Sequence, residues 1–513
     1  MNVLLIYPAF PDTFWSFNYA LKFIRKKAAY PPLGLLTVAA LLPKTWQCRI
    51  VDVNVTNLSD GDLQWADIAF IGGMTIQSAS ARKIITRCKD AQLKVVAGGP
   101  LFTADPDAFG EVDHLVLDEA EQTLLPFLKD LKRGCPQKIY RALQHCDLRQ
   151  TPVPAWDLLD FKKYASLSIQ FSRGCPFNCE FCNVTVLFGH KPRLKSPDQV
   201  IRELDCLYNA GWRGNIFFVD DNFIGNKKYL KHLLLPALVE WRRDKKGCVF
   251  YTEASINLAD DPELMDMMVK AGFDCVFIGI ESPDEESLAE CRKNQNRNRD
   301  LLQNVRNLQR AGLEVMGGFI VGFDSDKPSI FQHQIDFIQK SGIVTAMVGL
   351  LQAPPGTKLF DRLKSENRLV GTTSGDNVDG TTNIVPKMGL ERLQDGYRSI
   401  MRHIYAPRHY YRRIRTFLKE WRTPAVRIPM DFQRFLALFR VSYRLGIREK
   451  ERFQYWHLMA WTLTRRPRQL SRAILLAIYG YHYRQICELY LLKGSRIKTE
   501  TGDRFSQKGT WPT

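Results

Sequence analysis

Between residues 1 and 140, short apolar runs alternate with stretches in which apolar residues recur every three or four positions. The runs at 2–7, 49–53, 68–71, 94–97 and 114–117 predict buried strands, and the stretches at 33–42, 78–90 and 119–132 predict helices. Apolar strands alternating with helices predict a parallel sheet with helical crossovers. Two strands end in glycine pairs, Gly72-Gly73 and Gly98-Gly99, at the carboxyl edge where such sheets bind ligands. Each pair also admits the plainer reading of a tight turn.

A proline-bearing connector spans 133–166, and then the alternation resumes. Strands are predicted at 167–172, 215–220, 248–252, 275–280, 314–321 and 343–350, with helices such as 197–210, 261–271 and 298–311 between them. Six β/α units of this size predict a barrel, complete or partial. Residues 371–383 contain one apolar residue, Val378, and predict a loop, either a junction or a lid. Beyond it the pattern is helical, with Phe432, Phe435, Leu436, Phe439 and Tyr443 on one helical face and Arg434, Arg440 and Arg444 elsewhere.

The 513 residues are 45% hydrophobic and 25% charged, which excludes collagen-like and wholly disordered classes. Charge changes the picture more. Residues 401–513 hold 24 Lys and Arg against 7 Asp and Glu, whereas residues 1–400 hold 48 against 47. The last fifth is a basic region suited to anionic lipid, nucleic acid or an acidic ligand. Nineteen of the chain's aromatic residues also fall there. Twelve cysteines in this length are no disulfide scaffold, and the first residues lack a signal pattern, so a reducing cytoplasm is expected.

The sharpest motif is Ser172-Arg173-Gly174-Cys175-Pro176-Phe177-Asn178-Cys179-Glu180-Phe181-Cys182, just after the first strand of the second series. Three thiolates can hold three irons of a four-iron cluster and leave the fourth iron open to a substrate or cofactor. A structural zinc site would want a fourth Cys or His, and His190 is the nearest.

Cys-x3-Cys-x2-Cys with an aromatic, Phe181, before the last Cys resembles the signature of radical S-adenosylmethionine (SAM) enzymes. Later segments are similar to that family in order. Phe217-Phe218-Val219-Asp220-Asp221-Asn222-Phe223 stands where the family meets the methionine ammonium, with Asp220-Asp221 in place of the usual glycine-glycine-glutamate. Thr252-Glu253-Ala254-Ser255, Gly279-Ile280-Glu281-Ser282-Pro283 and Gly317-Gly318-Phe319-Ile320-Val321-Gly322-Phe323 end the following strands. The resemblance therefore implies a [4Fe-4S] cluster on Cys175, Cys179 and Cys182. It implies SAM contacts from Phe181, Asp220, Asp221, Glu253, Glu281, Ser282 and Gly322.

A parallel α/β unit before such a barrel resembles the cobalamin-binding subclass, on Tyr7-Pro8, Pro31-Pro32-Leu33-Gly34, Gly72-Gly73-Met74-Thr75 and Ala97-Gly98-Gly99-Pro100. It implies cobalamin contacts from Gly72, Gly73, Thr75, Gly98, Gly99 and Glu119. None of the nine histidines carries Asp two positions earlier, so the Asp-x-His-x-x-Gly lower ligand is not visible. Leu117-Asp118-Glu119-Ala120-Glu121 departs from the Gly-Glu-Gly-Glu usual in relatives. Residues 366–513 are similar to the C-terminal domain of unknown function that follows the barrel in hopanoid C-2 methylases, on 381–388 and 410–414.

Together these predict four parts. Residues 1–134 form a Rossmann-like cobalamin-binding domain, 135–165 a linker, 166–365 a partial (β/α)6 TIM-type radical SAM barrel, and 366–513 a helical basic domain. The expected activity is C-methylation of an unactivated carbon in a lipid, terpenoid or other secondary metabolite, through a 5′-deoxyadenosyl radical and methylcobalamin. Alternatives are a rearranging or oxidising cobalamin radical SAM enzyme, or a non-catalytic corrinoid or iron–sulfur sensor. Expected partners are a small molecule such as a hopanoid and an electron donor such as flavodoxin or ferredoxin. The basic region 401–513 admits two readings, a peripheral contact with the inner membrane face or a helical cap with an Arg-rich solvated face whose aromatics fill its own core, and no specific nucleic acid is expected. Methylthio transfer is disfavoured, because residues 1–134 offer only Cys48 and Cys88 for a second cluster.

Overall fold

The computed structural model describes residues 1–426 and 432–505, with side chains over 1–426 and 435–490. The first sheet contains β1 (Asn2–Tyr7), β2 (Gln47–Asp52), β3 (Ile68–Gly72), β4 (Lys94–Gly98), β5 (His114–Val116) and β6 (Ile139–Tyr140). All pairs are parallel, in the order β2-β1-β3-β4-β5-β6. The sequence pattern predicts five of these strands. The sixth has two residues inside the expected connector, too short for any periodicity. The order reverses between β1 and β3, the switch point where ligands enter open α/β sheets.

Gly98 has a packing cause. A Cβ there would run into the carbonyl oxygen of Val116 on the neighbouring strand. At this one position of the two glycine pairs, strand packing alone demands glycine.

The second sheet contains β7 (Ser166–Ile169), β10 (Asn215–Phe218), β11 (Phe250–Glu253), β12 (Phe273–Glu281), β13 (Glu314–Val321) and β14 (Ala346–Leu350). It is parallel throughout, in the order β14-β13-β12-β11-β10-β7, so β14 and β7 are edges and the barrel is partial. Helices Pro197–Asn209, Pro262–Ala271 and Leu301–Ala311 are started by Ser196, Asp261 and Asp300, whose side chains accept from backbone N–H groups three residues on. Strand side chains alternate as the pleat requires. Leu167, Ile216, Phe218, Phe250, Val276 and Val315 are buried under the helices, while Ser168, Phe217, Tyr251, Phe277 and Met316 face the lumen.

The two-residue strands β8 (Ser172–Arg173) and β9 (Arg193–Leu194) pair antiparallel, with Arg173 opposite Arg193. They close a loop that contains all three motif cysteines.

Beyond residue 389 the described chain is helical: Leu390–Tyr405, Pro407–Glu420, Phe432–Tyr443, Arg452–Arg465 and Leu470–Phe505. Tyr405, Tyr410, Tyr411, Phe417, Tyr455 and Tyr483 fill the core of this region, so much of its aromatic content is packing. Arg413 is wholly buried and donates to Gln339 Oε1 (2.7 Å) and the Ile404 carbonyl (2.8 Å). The apolar stripe predicted on the Phe432–Tyr443 helix is turned outward: Phe435, Phe439 and Tyr443 are 48%, 59% and 57% exposed. The buried face is instead Ala437 and Val441, and the side chain of Phe432 lies outside the described residues. Residues 12–28 join this core rather than the first sheet. Phe14 stacks on Tyr483 with ring centroids 4.1 Å apart, and His482 bonds the Phe14 carbonyl at 3.0 Å.

Gly98→Ala is expected to lower stability by about 2 kcal/mol, the cost of forcing a methyl group against fixed backbone. Urea unfolding followed by circular dichroism measures it; an unchanged midpoint would contradict the packing of β4 on β5.

Candidate functional site

One cavity of about 1710 Å³ runs from the carboxyl edge of the first sheet through the lumen of the second. Gly72, Gly73, Gly98, Gly99 and Glu119 line one end. Asp221 and Glu253 line the part nearest the cysteine loop. Most of its wall is apolar or aromatic, including Phe217, Tyr251, Phe277 and Met347. A pocket for a single small molecule is typically about 300–1,000 Å³, so there is room for more than one molecule.

The cysteine loop is held from several sides. Gly174 has φ +94°, and a Cβ there would stand 2.9 Å from the Gly189 carbonyl, so only glycine lets the chain turn into Cys175. Its N–H donates to Asp221 Oδ2 at 3.1 Å. Asn222 Nδ2 lies 3.9 Å from Cys175 Sγ and Gln295 Nε2 lies 3.6 Å from Cys179 Sγ, donors aimed at sulfur. The three cysteines are partly exposed and unbridged. Burial pushes the free Cys182 thiol up to about 12 and raises that of Cys175. Among the described residues, no three His, Cys, Asp or Glu converge as donors to one ion. A cluster takes one thiolate per iron and does not need that convergence.

Two adjacent carboxylates divide their tasks. Asp220 is 1% exposed and turns away from the cavity to accept from the backbone N–H groups of Phe171 (3.2 Å) and Ser172. It positions the β7–β8 turn. Asp221 faces the cavity. Burial pushes Asp220 up to about 7. Burial, then the charges of Asp221 and Asp220, push Glu253 up to about 8.

Glu119 does not present a free carboxylate. It accepts from Arg173 (2.8 Å), Arg193 (2.8 Å) and the Cys146 N–H (2.9 Å). Burial alone would raise it, but these bonds and the Arg173 charge hold it at about 2. Glu121 takes the other side of the Arg173 guanidinium at 2.8 Å. Thr75 is not among the cavity-lining residues; the Gly375 backbone packs against it.

Phe181, within the cysteine loop, and Glu281, Ser282 and Gly322 also lie outside the cavity lining. Phe181 packs toward Phe323, with centroids 6.3 Å apart. Ser282 is fully buried and accepts from the Asp284 N–H, while the Gly322 N–H donates to Asp326 at 2.8 Å. Glu281 pairs with Lys293 at 2.7 Å. Lys293, like Gln295 near Cys179, is not read as a site residue from the sequence. Burial opposes its charge, but Glu281 first, and the sulfurs of Cys179 and Cys182 when ionised, hold it above the usual lysine range. It sits in the polar run Arg292-Lys293-Asn294-Gln295-Asn296, which has no periodicity to distinguish it.

Comparison with known proteins agrees with this arrangement. Residues 169–338 match the radical SAM superfamily, and residues 357–493 match a domain of unknown function, DUF4070. An uncharacterized methyltransferase of Synechocystis sp. is 42% identical, covering 98% of this chain and 94% of that protein. The hopanoid C-2 methylase of Rhodopseudomonas palustris is 33% identical, covering 94% of this chain and 92% of that protein. Among solved structures, the cobalamin-dependent SAM radical enzyme OxsB superposes with a TM-score of 0.61 at 15% identity, covering 98% of this chain and 81% of its own. The methyltransferase TsrM of Kitasatospora setae gives 0.55 at 16%, covering 72% and 79%. These two share the fold.

Two outcomes test the electrostatics. Arg173→Met leaves Glu119 and Glu121 buried without their partner and is expected to cost about 3 kcal/mol in urea unfolding, with Arg173→Lys recovering part of it. Glu253 is raised above its unfolded value, so its protonated form stabilises the fold. That contribution is complete below about pH 4.5 and is lost as pH rises toward about 8. Glu253→Gln should flatten the stability profile across that window; an unchanged slope would refute the assignment.

Proposed function

The chain belongs to the radical SAM methyltransferase family of the hopanoid C-2 methylase, and from that premise we propose a cobalamin-dependent enzyme that methylates an unactivated carbon of a lipid or terpenoid. The observation that carries the proposal is the single cavity with Gly72, Gly73, Gly98 and Gly99 at one end and Asp221 and Glu253 beside the cysteine loop at the other. The donor set fits the cofactors. Cys175, Cys179 and Cys182 would hold a [4Fe-4S] cluster, with Asn222 and Gln295 donating toward two of the sulfurs. Asp221 and Glu253 would meet the ammonium of SAM. The glycine-walled end would accept the flat face of a corrin, with no histidine ligand required from this chain.

When bound, these groups supply a carbon-centred radical and a transferable methyl group; the protein supplies placement and a dry site. Lys293 and Glu281 keep a fixed charge pair behind Cys179 and Cys182. Gly174 and Asp221 fix the entry to the loop. Phe217, Tyr251 and Phe277 keep the lumen apolar, which suits a hydrocarbon substrate and excludes water from a radical. No described helix is long and apolar enough to cross a membrane. A lipid substrate therefore calls for contact with a bilayer surface, and the basic region 401–513 supports one. A low-potential donor such as flavodoxin or ferredoxin would supply the electron.

Anaerobic reconstitution with iron and sulfide should load the wild-type chain, and Cys175→Ala, Cys179→Ala and Cys182→Ala should each abolish loading and SAM cleavage. Full turnover in any of the three would overturn the cluster assignment. With reductant, cobalamin, methyl-labelled SAM and a hopanoid-containing lipid extract, label is expected in the lipid fraction. Formation of 5′-deoxyadenosine with no label in lipid would reject lipid methylation.

A further inference from the structure

The Phe432–Tyr443 helix presents two different apolar faces. Phe435, Phe439 and Tyr443 point to solvent, and Ile447, 60% exposed, continues their stripe at a spacing of four. Phe435 and Phe439 meet edge to face, with centroids 5.0 Å apart. A second row runs along the Arg452–Arg465 helix, where Phe453, Trp456 and Leu463 are 72%, 49% and 54% exposed. The rows meet where the Trp456 indole N–H donates to the Gly446 carbonyl at 2.9 Å, beside Ile447. Isolated exposed apolar residues are ordinary; two abutting rows of large ones are not.

Charge identifies what covers them. Residues 432–466 hold eight Lys and Arg and two acidic residues, Glu449 and Glu451. Both acids are engaged: Glu449 with Arg444 at 2.6 Å, and Glu451 with Arg484. Arg448, Lys450, Arg452 and Arg465 are exposed among the aromatic and aliphatic side chains. Aromatic and aliphatic side chains rimmed by cations fit the headgroup–acyl boundary of an anionic bilayer.

The opposite face of the same helix faces the site. Ala437, Leu438 and Val441 line the cavity, together with Ile24, which is itself 39% exposed. One helix thus separates the outward stripe from the space that reaches Asp221 and Glu253. We propose that the Phe435–Leu463 surface docks on an anionic bilayer, and that the Phe432–Tyr443 helix forms the wall past which an apolar lipid moves from the leaflet into the cavity. This rests on the lipid methylase reading and adds to it the docking surface and the route of entry.

The test uses the full-length, anaerobically reconstituted chain and vesicles of equal parts phosphatidylglycerol and phosphatidylcholine, carrying a diazirine-bearing isoprenoid alcohol as probe. Wild type should float with these vesicles, less so in high salt, and not with phosphatidylcholine alone. The combined variant F439S/I447S/F453S and the combined variant R448E/K450E should each reduce flotation by roughly tenfold or more, with an unchanged circular dichroism spectrum. Photolysis should label peptides carrying Leu438 or other cavity-lining residues, and Ala437→Trp, which narrows the wall, should suppress that label while flotation persists. Absence of flotation at low salt, undiminished flotation of both variants, label confined to the outer stripe, or retention on duplex DNA in place of vesicles would overturn the proposal. SAM cleavage by the same preparations separates the two readings. Cleavage without flotation removes the docking surface and leaves the methylase; flotation without cleavage removes the methylase and leaves the docking surface.

Discussion

Two arginines face each other across the smallest sheet in the molecule, and their shared counter-charge holds the site together. Arg173 and Arg193 are directly opposed in the β8–β9 pair, a juxtaposition that would repel. Both donate to Glu119, and Arg173 also takes Glu121. These carboxylates belong to the start of the Ala120–Arg133 helix of the first sheet, whereas the arginines bracket the cysteine loop of the second. Arg173 stands two residues before Cys175. A buried guanidinium without a partner costs several kcal/mol, so the two halves are fixed in the one arrangement that pairs it. The distance between the glycine-walled end of the cavity and the thiols follows from this contact.

Around the loop, charge is sorted by side. Lys293 and the amide donors of Asn222 and Gln295 face the sulfurs, while Asp221 and Glu253 face the open cavity. Three thiolates brought into a partly desolvated loop need positive charge and donors behind them. Burial raises both carboxylates in front, and the charges of Asp221 and Asp220 push Glu253 further, to about 8. The largely apolar lining of the lumen lowers the local dielectric and so strengthens both effects.

The C-terminal helices serve this arrangement twice. Tyr405, Tyr410 and Tyr483 pack against the barrel edge and the Phe14 segment, and Arg472 pairs with Glu314 and Asp274 at the base of the lumen. The Phe432–Tyr443 helix, which contributes little to that core, is left with one face on the cavity and one on solvent.

The cysteine spacing, the two alternating series, the partial barrel and the basic last fifth were legible along the chain, because each rests on local order: a pleat period of two, a helical period of 3.6, or ligands within one short loop. The strand β6 was not, since two residues carry no period. Glu119, Asp220 and Gly98 were read as ligand contacts from their places at strand ends. The fold adds partners that a strand-end position cannot show: Arg173 and Arg193 on Glu119, the backbone N–H groups of Phe171 and Ser172 on Asp220, and the Val116 carbonyl packed against Gly98, which with Glu119 lines the cavity. Lys293, far from the motif in sequence, enters the site only because the β12 loop folds back on Cys179 and Cys182. Nor could periodicity say which side of the 432–443 stripe is inside, since an amphipathic pattern marks a face but not its neighbour. The sequence by itself determined the chemistry and the elements; only the tertiary structure decided which polar groups remain free to meet a ligand, because partners brought together from distant segments compete for the same lone pairs and protons.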